Sequence, residues 1–303
     1  MKKSRSLLAI EPLELQPINH LLRVAQRLQR TRPRPLLRNR RIALLFYEAS
    51  TRTRVSFEFA AKALGAITTL VQPTASSIEK GESLMDTGLT LRATGADAIV
   101  IRHPSSGAPH LLARHLDIPI INAGDGLHEH PTQALLDAYT ILRHKKQLRG
   151  LKVAIVGDIY HSRVARSNIH LLSKAGAQVV LCGPPELLPQ LAATLAPGLR
   201  ITRHVEEALR GADVVMVLRV QKERLAGLQL HMDEYVAGYQ VTAERLRLAK
   251  RDAILMHPGP MIRGAELAGD LADSPASVIT EQVADGVWVR MAVLVTALGA
   301  AQA

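Results

Sequence analysis

Short apolar runs and amphipathic stretches alternate from one end of the chain to the other, the pattern of an α/β fold built on parallel sheets. Residues 41–46 predict a strand. A turn of small and polar residues follows, then an amphipathic helix to about Leu64, which Gly65 stops. Further strands are predicted over 67–71, 97–101 and 118–122, each followed by polar residues, and a helix starts near Pro131 and runs to about His144. Upstream, residues 19–29 carry apolar positions at helical spacing with arginines on the opposite face.

The polar segment 145–150 ends in a glycine and predicts a domain boundary. Beyond it the pattern restarts, with buried strands predicted over 152–156, 178–181, 214–218 and 253–256 and helices between them. A last helix, about 285–298, is long enough to pack back on the first domain. A chain of 303 residues exceeds the usual size of one core. The expectation is therefore two α/β domains, 1–147 and 148–284, each a parallel sheet flanked by helices, with 285–303 returning to the first.

Composition narrows the function classes. Hydrophobic residues make up 47%, but only nine are Phe, Trp or Tyr, so aliphatic side chains must fill both cores. One cysteine, Cys182, excludes an internal disulfide framework and a Cys-rich metal site, and fits a reducing cytoplasm. The first ten residues are basic but lack the long apolar core of a signal peptide, and no run of about 18 apolar residues predicts a membrane span. The net charge of +11 suits either nucleic acid or small anions in a positive cleft. The densest basic stretch, Arg23 to Arg41, has eight arginines and no interleaved aromatics to stack bases, so it reads as a solvated face rather than a nucleic-acid surface.

Candidate chemistry collects after the predicted strands. Ser50-Thr-Arg-Thr53 lies between a strand and a helix, where unpartnered amides and the helix dipole favour an anion; an ordinary N-cap is the plainer alternative. Arg102 and His103 follow the strand over 97–101, His130 and Gln133 open a helix, and Arg163 lies seven residues past Val156. Ligands of open parallel sheets bind at the carboxyl ends of strands. His128 and His130 stand two apart, a spacing that matches neither a helical two-His site nor a cysteine pair, so no metal is expected. The dinucleotide fingerprint, the Gly-x-Ser-x-Gly elbow and the Walker loop are all missing, so the residues point to transfer chemistry on an anionic substrate without a cofactor.

The stretch Phe46-Tyr-Glu-Ala-Ser-Thr-Arg-Thr-Arg-Val-Ser-Phe-Glu58 resembles the carbamoyl phosphate signature of the aspartate and ornithine carbamoyltransferases. Ser77-Ile-Glu-Lys-Gly-Glu-Ser-Leu-Met-Asp-Thr87 is similar to that family's lysine loop, and Arg102-His-Pro104, Asn122-Ala-Gly-Asp-Gly126 and His130-Pro-Thr-Gln133 follow in the family's order. Leu218-Arg-Val-Gln-Lys-Glu-Arg224 resembles the loop by which aspartate-using members bind their amino acid. The ornithine-using members usually carry a His-Cys-Leu-Pro segment where this chain has His257-Pro-Gly-Pro260, and ornithine is the alternative acceptor. A dicarboxylate acceptor also calls for fixed guanidiniums, which Arg163 and Arg219 supply.

The resemblance implies transfer of a carbamoyl group from carbamoyl phosphate to L-aspartate, in pyrimidine biosynthesis. It assigns carbamoyl phosphate to Ser50, Thr51, Arg52, Thr53, Ser76, Lys80, Arg102, His130, Gln133, Pro258 and Gly259, and aspartate to Lys80, Arg163, Arg219 and Gln221. Arg52, Thr53, Lys80, Arg102 and His130 carry the catalytic roles. The first domain would hold carbamoyl phosphate and the second aspartate. Ser76 and Lys80 match residues that the family supplies from a neighbouring subunit, which implies a homotrimer. A regulatory chain or dihydroorotase is a further partner the family implies, and no nucleic acid or membrane is expected.

Overall fold

A computed structural model describes residues 5–31, 34–73, 77–220 and 231–300. The chain divides into two compact units, one of residues up to Leu136 together with those from Val283 onward, the other Asp137–Gln282.

In unit 1 the amphipathic helix α1 (Leu15–Arg30) buries Ile18, Leu21, Leu22, Val24, Ala25 and Leu28 and leaves Arg23, Arg27 and Arg30 exposed, the solvated basic face expected. Four strands follow: β1 (Arg41–Phe46), β2 (Ile67–Val71), β3 (Ala98–His103) and β4 (Ile120–Asp125). Between them lie the helices α2 (Thr51–Ala63), α3 (Leu84–Ala93) and α4 (Ala108–His115), and a 3-10 turn at Ser77–Lys80. The sheet is parallel throughout, in the order β2-β1-β3-β4. Leu45, Ile99, Ile101, Leu112 and Ile120 form its core with neighbouring side chains.

Helix α5 (Pro131–Lys145) contains the division between the two units at 136/137. Unit 2 holds β5 (Lys152–Val156), α6 (Arg163–Lys174), β6 (Gln178–Cys182), β7 (Arg200–Thr202), α7 (Val205–Leu209), β8 (Val214–Val217), α8 (Met232–Tyr239), α9 (Ala243–Leu246) and β9 (Ile254–Met256). Its sheet is also all parallel, in the order β7-β6-β5-β8-β9. Val156, Val180, Val215, Val217 and Leu255 lie in its core.

The last helix, α10 (Ile279–Ala297), starts earlier than the expected 285 and returns to unit 1. Val289, Met291, Leu294 and Val295 are buried along it, and the Arg290 guanidinium lies 5.2 Å from the centre of the Phe57 ring on α2.

Candidate active site

In both sheets the chain reverses its direction of winding once, and Ser50 to Thr53, Arg102, Arg163 and Arg219 follow the strands on either side of those two places. In unit 1 the reversal lies between β1 and β3, the central pair. Ligands of open α/β sheets bind where such a reversal leaves a crevice beyond the strand ends. The segment after β1 leads into α2 through Ser50, which adopts an extended conformation (φ −161°, ψ 100°) and makes no side-chain capping hydrogen bond. The plain capping role is thus not what Ser50 does, and the first amides of α2 keep their capacity for an anion. Thr51 and Arg52 are exposed and Thr53 is buried. Ser56 ties the turn together by donating to Arg52 O at 2.5 Å and to Thr53 O at 3.1 Å.

Arg102 stands opposite Phe46 in the β1–β3 register, which brings it to the same strand ends as Ser50 to Thr53. Its Nε lies 3.2 Å from Glu48 Oε2. The neighbouring His103 is tilted against Tyr47 with ring centroids 4.5 Å apart, and its Nδ1 accepts from the Ser105 amide at 2.9 Å. Burial pushes the His103 imidazole below its usual pKa, so it is neutral near pH 7.

The Asn122-Ala-Gly-Asp-Gly126 motif forms the end of β4 and the turn after it. Gly126 has φ +47°, and a Cβ there would lie 2.6 Å from the Ser106 amide nitrogen and 2.9 Å from Pro104 O. Only glycine allows the backbone of this turn to approach the 104–106 turn so closely. Asp125 is fully buried and accepts from Asn122 Nδ2 at 2.7 Å and from the Gly107 amide at 2.7 Å. Its carboxyl also pairs with His128 Nδ1, 3.1 Å from Oδ2. Burial works against these contacts, but the hydrogen bonds prevail and hold Asp125 below the usual carboxylate range, while the bond to Asp125 raises His128. Glu129, also buried, accepts from the amides of Ile10 and Glu11 at 2.8 and 3.0 Å. His130 and Gln133 follow at the start of α5, both buried.

In unit 2 the reversal lies between β5 and β8. Gly157 follows β5 with φ +126°, and a Cβ there would lie 2.8 Å from Leu218 O, so the two strand ends touch backbone to backbone. The two arginines expected to bind a dicarboxylate issue from this pair of strands. Arg163 is the first residue of α6 and is 9% exposed; Arg219 follows Leu218 and is half-buried. Asp158 fixes the turn before α6 by accepting from the amide and ring of His161, both at 3.0 Å, and Ser162 caps the helix by accepting from the Ala165 amide.

Pro258 and Gly259 follow β9 on a loop anchored by His257, whose buried ring accepts from the Gly259 amide at Nδ1 (2.9 Å). Nδ1 is then the acceptor, so Nε2 carries the proton and donates to Glu266 Oε1 at 3.2 Å. The His257 amide donates to Gln282 Oε1 at 3.1 Å, Gln282 Nε2 donates to Asp137 Oδ1 at 2.6 Å, and Asn168 Nδ2 donates to Asp137 Oδ2 at 2.7 Å. Sequence reasoning missed this support. Gln282 and Asp137 are 145 residues apart, and no local pattern signals their pairing. Lys80 is exposed at the end of the turn Ser77–Lys80, while Ser76 and Gln221 lie outside the described residues.

Comparison with known proteins decides what this arrangement belongs to. The family description "Aspartate/ornithine carbamoyltransferase, carbamoyl-P binding domain" matches residues 5–143, and "Aspartate/ornithine carbamoyltransferase, Asp/Orn binding domain" matches residues 149–297. The chain belongs to the aspartate/ornithine carbamoyltransferase family. Among its carbamoyltransferase relatives, the aspartate carbamoyltransferase catalytic subunit of Koribacter versatilis is 65% identical over 98% of each chain. That of Solibacter usitatus is 55% identical over 97% of this chain and 99% of its own. The aspartate transcarbamoylase of Trypanosoma cruzi, solved with carbamoyl aspartate and phosphate, superposes with a TM-score of 0.87 at 32% identity, covering 96% of this chain and 95% of its own. An ornithine carbamoyltransferase from Pyrococcus furiosus superposes as well, with a TM-score of 0.88 at 29% identity over 98% of this chain and 97% of its own. The carbamoyltransferase fold alone therefore does not separate the two acceptors, whereas sequence identity favours aspartate.

Proposed function

We propose that the chain transfers the carbamoyl group of carbamoyl phosphate to the amino group of L-aspartate, giving N-carbamoyl-L-aspartate and phosphate, as a step of de novo pyrimidine synthesis. The observation that carries this reading is the chemistry at the two sheet reversals: hydroxyls, helix amides and Arg102 in unit 1, and two guanidiniums, Arg163 and Arg219, in unit 2. The first set suits a phosphate and the second a dicarboxylate. Ornithine presents a cationic side chain, which two arginines would repel.

Ser50, Thr51, Arg52 and Thr53 hold the phosphate, and Arg102 bridges phosphate and carbonyl oxygen. In doing so Arg102 exchanges its Glu48 carboxylate for the substrate's oxygens. The neutral amine of aspartate attacks the carbonyl carbon, the C–N bond forms, and the electron pair of the C=O bond moves to oxygen. Thr53 and His130 donate to that oxyanion, and Gln133 accepts from the carbamoyl NH2. Collapse of the tetrahedral intermediate breaks the C–O bond to phosphate, which leaves with the pair and takes the amine's proton. Orientation of two anions and stabilisation of the oxyanion account for the catalysis, and no covalent intermediate is needed. Pro258 and Gly259 complete the carbamoyl phosphate contacts, Gln221 joins Arg163 and Arg219 on aspartate, and Ser76 and Lys80 come from a neighbouring copy of a cytoplasmic homotrimer.

The test is a carbamoylation assay with aspartate and ornithine side by side. Phosphate release in step with carbamoyl-aspartate, and no product from ornithine, is expected. Citrulline as the main product overturns the acceptor assignment.

A further inference from the structure

We propose that His110, Asp125 and His128 form a binding site for a divalent cation of the zinc class, on unit 1 and outside the phosphate cradle. The three donors come from separate elements: the first turn of α4, the last residue of β4 and the turn before α5. One ligand atom from each lies within 4.8 Å of the other two. Tetrahedral zinc with bonds of about 2.0–2.2 Å holds its ligand atoms about 3.5 Å apart, so the set must close by roughly an ångström. Both imidazoles are only half-buried and have room to do so, while the carboxylate they would close upon is fixed.

That carboxylate is built as a metal ligand is usually built. Asp125 is fully buried, and Asn122 Nδ2 and the Gly107 amide orient it, both at 2.7 Å. The rings of His110 and His128 meet edge to face with centroids 5.5 Å apart. A plain Asp125–His128 ion pair accounts for two of these groups but gives no reason for His110 to turn toward them. Glu129 and Glu11 add negative charge around His128, against Arg114 beside His110. Two imidazoles and one carboxylate with a fourth position open to water suit zinc, cobalt or nickel, whereas calcium and magnesium call for oxygen ligands throughout. A cation here would pin the turn 126–129 that leads directly into His130.

The test uses the full chain, stripped of metal, with Zn2+ and Co2+ as probes. Equilibrium dialysis should give one Zn2+ per chain, Co2+ should show the intense visible absorption of a four-coordinate centre, and Zn2+ should raise Tm by a few degrees. His110→Ala should weaken Zn2+ binding more than about 100-fold while leaving metal-free carbamoyl transfer unchanged. His115→Ala, on the exposed side of the same helix, should bind as the parent does. No saturable Zn2+ binding by the parent, unchanged binding by His110→Ala, or equal loss in His115→Ala would each overturn the site.

Discussion

The loop that carries Pro258 and Gly259 hangs on Gln282, and replacing Gln282 with leucine isolates that support. The side chain is 2% exposed and makes two hydrogen bonds, from the His257 amide at 3.1 Å and to Asp137 Oδ1 at 2.6 Å. Leucine fills about the same space and leaves no room for a replacement water. It strands a buried amide, at about 1–3 kcal/mol, and takes one donor from a fully buried carboxylate, at least as costly. Together these destabilise unit 2 by roughly 2–5 kcal/mol, or about 5–15 °C in its thermal transition. Calorimetry should show that loss, and steady-state kinetics should show a raised KM for carbamoyl phosphate, because the 257–260 loop loses its anchor. Gln282→Glu separates geometry from charge. It keeps an acceptor for His257 but faces Asp137 with a second carboxylate, and the pair then shares a proton. Its folded pKa lies above the unfolded value, so stability is present at low pH and lost as pH rises through the folded pKa. The deficit against the parent should therefore be smallest near pH 5 and grow toward pH 8. A Tm loss under about 2 °C for Gln282→Leu, with kinetics unchanged, would refute the anchoring role.

Arg219→Ala should raise the KM for aspartate about 10- to 150-fold, the effect of one lost charge-assisted hydrogen bond, with carbamoyl phosphate affinity nearly unchanged; weakened carbamoyl phosphate binding would show that the two substrate sets are wrongly divided. Arg52→Ala should lower kcat even at saturating substrates, since Arg52 would hold the phosphate in its departing, more charged form. Arg52→Ala and Lys80→Ala should each be nearly inactive alone. Mixed and reassociated trimers should recover about a quarter of the wild-type sites, the share that pairs an intact Arg52 with a neighbour's intact Lys80; no recovery in trimers confirmed by mass would mean that each subunit builds its own site. Burial pushes the Cys182 thiol up to about 12, so it should resist a thiol reagent at pH 8 until the chain unfolds, as measured by the reagent's absorbance.

Three strands were legible to their ends: β1, β2 and β5 match the residues expected from pattern alone. Two others run on where hydrophobicity stops. β3 continues through Arg102 and His103, and β4 through Gly124 and Asp125, because the ladder between them persists into polar residues. β4 also begins beyond Pro119, which has no N–H to give to a ladder. β7, three residues with one buried, was too short to register. The first turn and a half of α10 was not legible because Thr280, Glu281 and Gln282 dilute its apolar periodicity. The cradle at Ser50 to Thr53 could be read because it is continuous in sequence. The Asp137–Gln282 bond and the meeting of His110 with Asp125 and His128 could not, since they exist only once the chain has folded.

The return of α10 to unit 1 sets an order of events during synthesis. Residues 137–282 are contiguous, so unit 2 has its whole sequence once Gln282 has left the ribosome. Unit 1 is translated first but still lacks α10, and with it Arg290 over Phe57 and the buried Val289, Leu294 and Val295. The usual amino-to-carboxyl order of co-translational folding is thus inverted. The half that carries Arg52 and Arg102 must wait for the last turns of the chain before its core can close.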